Sequence, residues 1–405
     1  MQKPFDFIIL GSGLSGLMLA HKMSKDPWFY EKRIAIIDQA IKNQNDRTWC
    51  FWALPQHDYA DIVSKQWSHA VVANHQFKKS FDLNPYTYQM IRSQDFYLKI
   101  LTELQLKNNF FFITDEILTV KAIANIVTLN GKNNVYEGYK LFNSTLDIKP
   151  LFSQKKYAYL KQHFVGWFIK TANDCFNEHE VHFMNFDIPQ QGNTRFMYIL
   201  PLSKNEALFE YTLFSEDLLP FETYEQAIKT YLEEKNITNY HITEKEQGNI
   251  PMTCYPFHKN NSSNILYIGS AGGWTKASTG FTFSKTLETV DKLVSFIKKQ
   301  QPLNQFYQPS RFWLYDLNFL EVLKNHNHRG AEIFTQLFQK NKTKTLLDFL
   351  DEKTTISQEL KIMTKVPIIL FTKNLLLSFY KILKYKYLCF NLLNVNKKIK
   401  LLIFS

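Results

Sequence analysis

Apolar and polar positions along the chain fall into a small number of repeating patterns. FDFIIL (5–10) is a short apolar run of strand type. GSGLSG (11–16) follows as a glycine turn, and LMLAHKM then takes helical spacing. EKRIAIID (31–38) is a second strand that ends in an acid, so the first forty residues predict a strand–turn–helix–strand unit. Residues 86–106, YTYQMIRSQDFYLKILTELQL, predict one helix with an apolar stripe, and 110–150 predict short strands with NGKNN as a hairpin turn.

The pattern changes over 157–260. HFVGWFIKT, VHFMNFDI, FMYILPLS and ALFEYTLF alternate with polar turns, which predicts an inserted sheet. Residues 263–297 return to strand, glycine-rich turn and long helix, and 310–365 read as helical throughout. The expected fold class is α/β: a doubly wound, Rossmann-like domain with an inserted antiparallel-sheet domain and a helical C-terminal region. The expected boundaries are 1–60, 85–150 and 260–300 for the first domain and 61–84 with 151–259 for the second. A helical cap over 301–360 and a basic tail over 361–405 complete the chain.

Composition sharpens this picture in two places. Apolar residues at 45% against 21% charged make the chain globular; 35 Phe with 21 Tyr suit an apolar cavity as well as a core, but on composition alone a general bias that also favours Lys, Asn and Ile is the better reading. Charge is uneven: nine lysines and no acid lie in 361–405, which leaves +2 of the total +11 for residues 1–360. The tail holds no uninterrupted apolar run of spanning length, and lysines interleaved with aromatic and aliphatic residues suit a helix lying in an anionic membrane surface. A helix packed on the protein, or a nucleic-acid contact, are the alternatives; no recognised nucleic-acid module appears, and no nucleic-acid partner is expected. The four cysteines, at 50, 175, 254 and 389, have no CxxC spacing, which suggests neither zinc nor a disulfide framework but a reducing compartment. No secretory signal is read at the N-terminus. HNHR (326–329) lacks a third ligand and reads as a helix end or turn, so no metal is expected.

Three stretches carry chemistry. In GSGLSG, Gly11, Gly13 and Gly16 match G-x-G-x-x-G, with Ser12, Leu14 and Ser15 between them, and Asp38 follows 22 residues after Gly16. The glycines permit a tight turn and close approach to a pyrophosphate, the helix N-terminus offers free N–H groups, and the acid can accept ribose hydroxyls. Its position at the start of the chain favours FAD over a nicotinamide nucleotide. GSAGGWTKASTG (269–280) is a second such turn; Gly269, Gly272, Gly273, Thr279 and Gly280 can form another edge of a flavin site or a plain strand–helix connection. In LFEYTLF (208–214) a lone carboxylate, Glu210, sits among apolar and aromatic residues, where it must be paired, exposed or kept protonated. Strict alternation puts Glu210 with Leu208, Thr212 and Phe214, and Tyr211 on the other face.

With these motifs in view, the chain resembles the flavoprotein lycopene β-cyclases, in particular the bacterial carotenoid-pathway type. The resemblance is carried by NDRTWCFW (45–52), QHFVGWFIKT (162–171), FMYILPLSKNEALFEYTLFS (196–215), EQGNIPMT (246–253) and GSAGGWTKASTGFTF (269–283), with LDFLDE (347–352) beyond them. It implies a two-domain flavin monooxygenase-like architecture and a reaction without net redox change. In that reaction an acid protonates the terminal double bond of a linear carotenoid, a neighbouring double bond closes the ring, and a ring proton leaves. The resemblance also implies reduced FAD with NAD(P)H as electron source, lycopene and monocyclic carotenoids as substrates, other carotenoid enzymes as partners, and a place on the inner face of the cytoplasmic membrane. The family's acid falls on Glu210. The expected pocket aromatics are Trp49, Phe51, Trp52, Tyr198, Tyr211 and Trp274. Two departures stand out: Gly269-Ser270 replaces the Gly-Asp of related flavoproteins, and Met184-Asn185-Phe186 replaces Met-Asp-Phe. Rival readings are a flavin-dependent monooxygenase or isoprenoid reductase, and a non-catalytic flavin- or lipid-binding membrane-surface protein.

Overall fold

The computed structural model describes residues 3–307 and 309–376. Most of the expected basic tail therefore lies outside the described residues. Three sheets organise the rest. The first has a parallel centre made of β8 (Phe110–Thr114), β2 (Ile34–Asp38), β1 (Phe5–Leu10) and β11 (Val135–Asn143). An antiparallel meander, β9 (Ile117–Ile123) and β10 (Ile126–Gly131), extends it, and the short β17 (Ile265–Tyr267) adds in parallel to the end of β11. The central strands are buried on both faces, which is why they read as continuous apolar runs.

Helices α1 (Leu14–Lys25), α2 (Ser93–Gln105) and α5 (Phe283–Ile297) pack together on one face of this sheet. Residues 86–106 are not one helix. They form β7 (Thr87–Arg92) followed by α2, because the aromatic and β-branched run TYQMIR is buried on both faces, with Tyr88, Gln89, Met90 and Ile91 all inaccessible. A one-faced stripe begins only at Ser93. Strand β7 pairs with β3 (Thr48–Ala53) and β4 (Lys65–Trp67) in a small second sheet.

The third sheet has the order β16 (Tyr240–Thr253), β12 (Tyr159–Thr171), β15 (Glu206–Ser215), β14 (Thr194–Pro201), β13 (Glu180–Asn185), β5 (His69–Asn74), β6 (Phe77–Asp82). It is antiparallel except where β13 runs parallel to β5. One face is covered by α4 (Phe221–Glu234), whose Tyr224, Ile228, Tyr231 and Leu232 pack on Tyr211, Phe209 and Leu213. The other face meets α6 (Arg311–Asn325), α7 (Gly330–Lys340) and α8 (Thr343–Leu350) in a separate apolar cluster. The short α3 (Lys149–Ser153) leads into β12, and α9 (Ile356–Met363) follows α8. HNHR forms a turn between α6 and α7, where Asn327 Nδ2 donates to the Phe214 carbonyl at 2.8 Å. Among the described residues no helix is long and apolar enough to cross a membrane, and no group of three potential ligands gathers to hold a metal.

Candidate active site

The register of four adjacent strands lines up one row of residues. Tyr198 on β14 stands opposite Glu210 on β15, Glu210 opposite Gly166 on β12, and Gly166 opposite Glu246 on β16. Residues directly opposite one another share a face, so the row places two carboxylates on either side of a residue with no side chain. The rows beside it, Phe196–Thr212–Phe164–Gly248 and Leu200–Leu208–Phe168–Glu244, point the same way.

This face forms the floor of a cavity of about 580 Å³, a size typical of small-molecule sites. Phe164, Phe196, Tyr198, Leu200, Leu208, Glu210, Phe214 and Glu246 line it from the sheet. Trp49, Cys50, Trp52 and Tyr88 contribute from the small second sheet, Phe281 from the loop before α5, and Phe334, Leu337 and Leu346 from α7 and α8. The lining continues without a break to Gly13, Leu14, Ser15, Gly269 and Ser270 at the glycine turns.

Glu210 is 7% exposed and accepts a hydrogen bond from the Thr212 hydroxyl. Burial first, and then the charge of Glu246, push its carboxyl up to about 8, against the opposing effect of Thr212. It is therefore a neutral acid near pH 7. The Tyr198 and Tyr88 hydroxyls meet at 2.7 Å beside it, and burial holds both phenols neutral. Glu246 is also raised by burial and further by the charge of Glu244, while the Thr48 hydroxyl, donating to its Oε2 at 2.7 Å, and the nearby Arg92 and Arg47 oppose the rise.

Three of the six aromatic residues expected in the pocket line the cavity, and three do not. Trp49, Trp52 and Tyr198 line it; Trp52 stands edge-on to Phe281 with centroids 4.6 Å apart. Phe51 stacks on Phe283 at 4.2 Å in the helix–sheet core, next to the main cavity but outside its lining. Tyr211 belongs to the opposite face, under α4, where its hydroxyl accepts from Arg195 at 3.0 Å. The alternation of β15 that turns Glu210 inward turns Tyr211 away. Trp274 is 2% exposed in the core of the first domain, drawn there by the left-handed turn at Gly273 that precedes it.

The glycine turns form a cradle at the other end of the lining. A Cβ on Gly16 would lie 2.0 Å from the Gly11 carbonyl oxygen, so the turn closes only without one. A Cβ on Gly13 would meet nothing within 4 Å: it would project into open space above the N-terminus of α1, whose first N–H groups have no partner within the helix. Asp38, at the end of β2, accepts from the Ser12 N–H at 2.6 Å and its hydroxyl at 2.7 Å, with lone pairs left for a sugar hydroxyl. The second turn closes on the first: a Cβ on Gly269 would fall 2.4 Å from Ser15 Oγ. Gly272 lies under this turn, while Thr279 and Gly280 line the cavity, Thr279 with a buried hydroxyl that has no protein partner. A dinucleotide pyrophosphate fits this cradle.

The model of the family described as lycopene cyclase protein matches residues 6–376. The chain belongs to the lycopene cyclase family. No match is found among curated proteins. Three solved structures show how the family fold relates to others. A geranylgeranyl bacteriochlorophyll reductase-like protein from Thermoplasma acidophilum has 8% identity and a TM-score of 0.61, over 92% of this chain and 98% of that one. A flavoprotein/dehydrogenase from Cytophaga hutchinsonii has 11% identity and a TM-score of 0.62, over 94% and 100%. A p-nitrophenol 4-monooxygenase from Pseudomonas putida has 10% identity and a TM-score of 0.55, over 94% and 98%. The likeness is one of fold: the mixed α/β architecture of FAD-dependent oxidoreductases with a separate antiparallel-sheet domain.

Within this lycopene cyclase fold, the two sequence departures have clear positions. Ser270 lines the cavity and its hydroxyl meets that of Thr275 at 3.1 Å. Asn185 is buried at the end of β13 and donates to the Tyr231 hydroxyl at 2.8 Å, on the α4 side and away from the cavity. Sequence reasoning missed Glu246, Thr48 and Gly166 as individual residues. EQGNIPMT carries one signal for Glu246: along 244–250 every second residue faces inward.

Proposed function

We propose that this chain is a lycopene β-cyclase that closes the linear ends of lycopene into β-rings, giving monocyclic and then bicyclic carotene with no net redox change. A protonated carboxyl, Glu210, on the wall of an apolar, aromatic cavity in a chain of this family carries the reading. Its O–H delivers a proton to the terminal double bond, leaving a tertiary cation that the next double bond attacks to form the six-membered ring. Phe164, Phe196 and Tyr198 offer π-faces to that cation, and the apolar walls exclude the water that would capture it.

FAD is the proposed cofactor, held by residues 11–16, Asp38, Gly269 to Gly273, Thr279 and Gly280. In its reduced form, maintained by an NAD(P)H-derived source, it supplies an electron-rich ring that stabilises positive charge. Because the substrate dissolves in the bilayer, we assign the enzyme to the inner face of the cytoplasmic membrane, bound through its basic tail and beside other carotenoid enzymes.

Expression in cells that accumulate lycopene tests this reading. A shift from red to yellow-orange with unchanged mass is the expected result, abolished in Glu210→Gln. A product of altered mass supports a reductase or monooxygenase instead, and flavin binding without product supports a non-catalytic protein.

A further inference from the structure

Ring closure adds one proton and removes another, and Glu210 accounts only for the first. The row Glu210–Gly166–Glu246 contains a second carboxylate on the same cavity floor. Two strand spacings separate their backbones, roughly 10 Å. Gly166 lets the neighbouring side chains close over it: a Cβ there would approach Leu208 Cδ1 at 2.9 Å and Glu246 Cγ at 3.1 Å. Both carboxyl-bearing residues line the same cavity, Glu210 from β15 and Glu246 from β16.

Each carboxyl accepts from a threonine hydroxyl, Glu210 from Thr212 and Glu246 from Thr48, so their charged neighbours distinguish them. Arg92 Nη1, which can only donate, reaches Thr48 Oγ1 at 3.4 Å, so the single Thr48 proton is directed to Glu246 Oε2 at 2.7 Å. That oxygen is an acceptor. Arg92 is itself fixed by paired bonds to Glu244, both 2.6 Å, and by the Phe168 ring 4.4 Å away. Arg47 adds positive charge near Glu246, while Glu210 faces the neutral Cys50 thiol and Tyr88 phenol. The nearby cations thus favour Glu210 over Glu246 as the site of a proton shared by the pair.

We propose that Glu246 is the second catalytic carboxylate of this site, the base that takes the ring proton whose loss ends the cyclisation. The inference rests on the cyclase reading above. The Glu210 O–H bond breaks as the terminal π bond gives a C–H bond at its inner CH carbon, leaving the tertiary cation, and the electrons of the neighbouring double bond form the C–C bond that closes the ring. The C–H bond at the ring carbon bearing the polyene then breaks. Its electrons become the ring double bond, and its proton goes to a Glu246 oxygen. Return of that proton to Glu210 restores the pair, and no oxidant or reductant is consumed.

The test compares wild type, Glu210→Gln, Glu246→Gln and Glu246→Asp on lycopene in D2O, at equal bound flavin measured by absorbance. Glu246→Gln is expected to lose about a hundred-fold in ring formation. The substrate it leaves is expected to carry deuterium at the inner CH carbon of the terminal double bond, because protonation still occurs and reverses. Glu210→Gln is expected to give neither ring nor exchange, and Glu246→Asp to recover at least about ten-fold over Glu246→Gln. Glu246→Gln activity within about three-fold of wild type overturns the proposal. So does loss of ring formation in Glu246→Gln with no exchange, since Glu246 then serves the first step. If wild type forms no ring from lycopene, the cyclase reading itself falls, and the base role with it.

Discussion

Phe164 on β12 and Gly248 on β16 stand directly opposite each other, and the tip of the Phe164 ring lies 2.2 Å from where a Cβ at position 248 would be. The ring can lie flat along the cavity floor only because its neighbour has no side chain. Gly248→Val is therefore expected to tilt Phe164 into the cavity. Product formation should fall by roughly ten-fold or more while bound flavin stays constant, measured by pigment yield against flavin absorbance.

The proton on Glu210 sets a pH limit. With its carboxyl raised from 4.5 to about 8, the donor form is complete below that range and is lost as pH rises through about 8. Cyclisation should show an alkaline limb there. Stability follows the same sign: wild type should lose a few kcal/mol relative to Glu210→Gln between pH 4.5 and about 8, as an unfolded chain would ionise freely but the folded one cannot. Urea unfolding at both ends of the range measures it.

Gly13 is a different kind of glycine from Gly16. Its φ is −80° and its Cβ space is open, so Gly13→Val should fold. The added side chain would fill the cradle over α1 instead. Flavin content after purification should drop to background with an unchanged far-UV circular dichroism spectrum.

Lys276 is 8% exposed and bridges Asp316 at 2.9 Å and Glu352 at 3.4 Å, tying the second glycine turn to α6 and to the end of α8. Lys276→Met leaves the buried Asp316 without its cation, while Glu352 keeps Lys285 at 2.7 Å. Stability should fall by roughly 3–5 kcal/mol, read from denaturant midpoints.

A chain ended at residue 376 tests the proposed membrane tail. It should no longer sediment with vesicles containing anionic lipid, whereas the full chain should bind them less as salt is raised.

The first strand–turn–helix–strand unit was legible in the sequence because its signals are local: an apolar run, glycines at fixed offsets and an acid at the end of β2. Glu210 was legible for a similar reason, as one acid in a strand buried from Ala207 to Ser215. Glu246 was not, because KEQGN reads as a polar stretch. Its role depends on β12, which lies 80 residues earlier, and on Thr48 from a different sheet. Aromatic identity also failed to assign faces. Trp274 and Tyr211 carry the same π-chemistry as Trp52 and Tyr198, but chain geometry buries them in other cores. The helix expected over 86–106 began seven residues late, since two-faced burial erases the contrast on which helical periodicity depends.

The four-strand row has a consequence for how the chain can vary. The turn between β14 and β15 spans only residues 202–205. One residue added to β15 after that turn, or removed, would shift the strand by a single step and exchange its faces. Phe209 or Tyr211 would then occupy the floor, and Glu210 would be driven under α4, with every amino acid of the site still present. Alignment of the strands is thus itself a component of the chemistry, and length in this turn is less free to drift than composition.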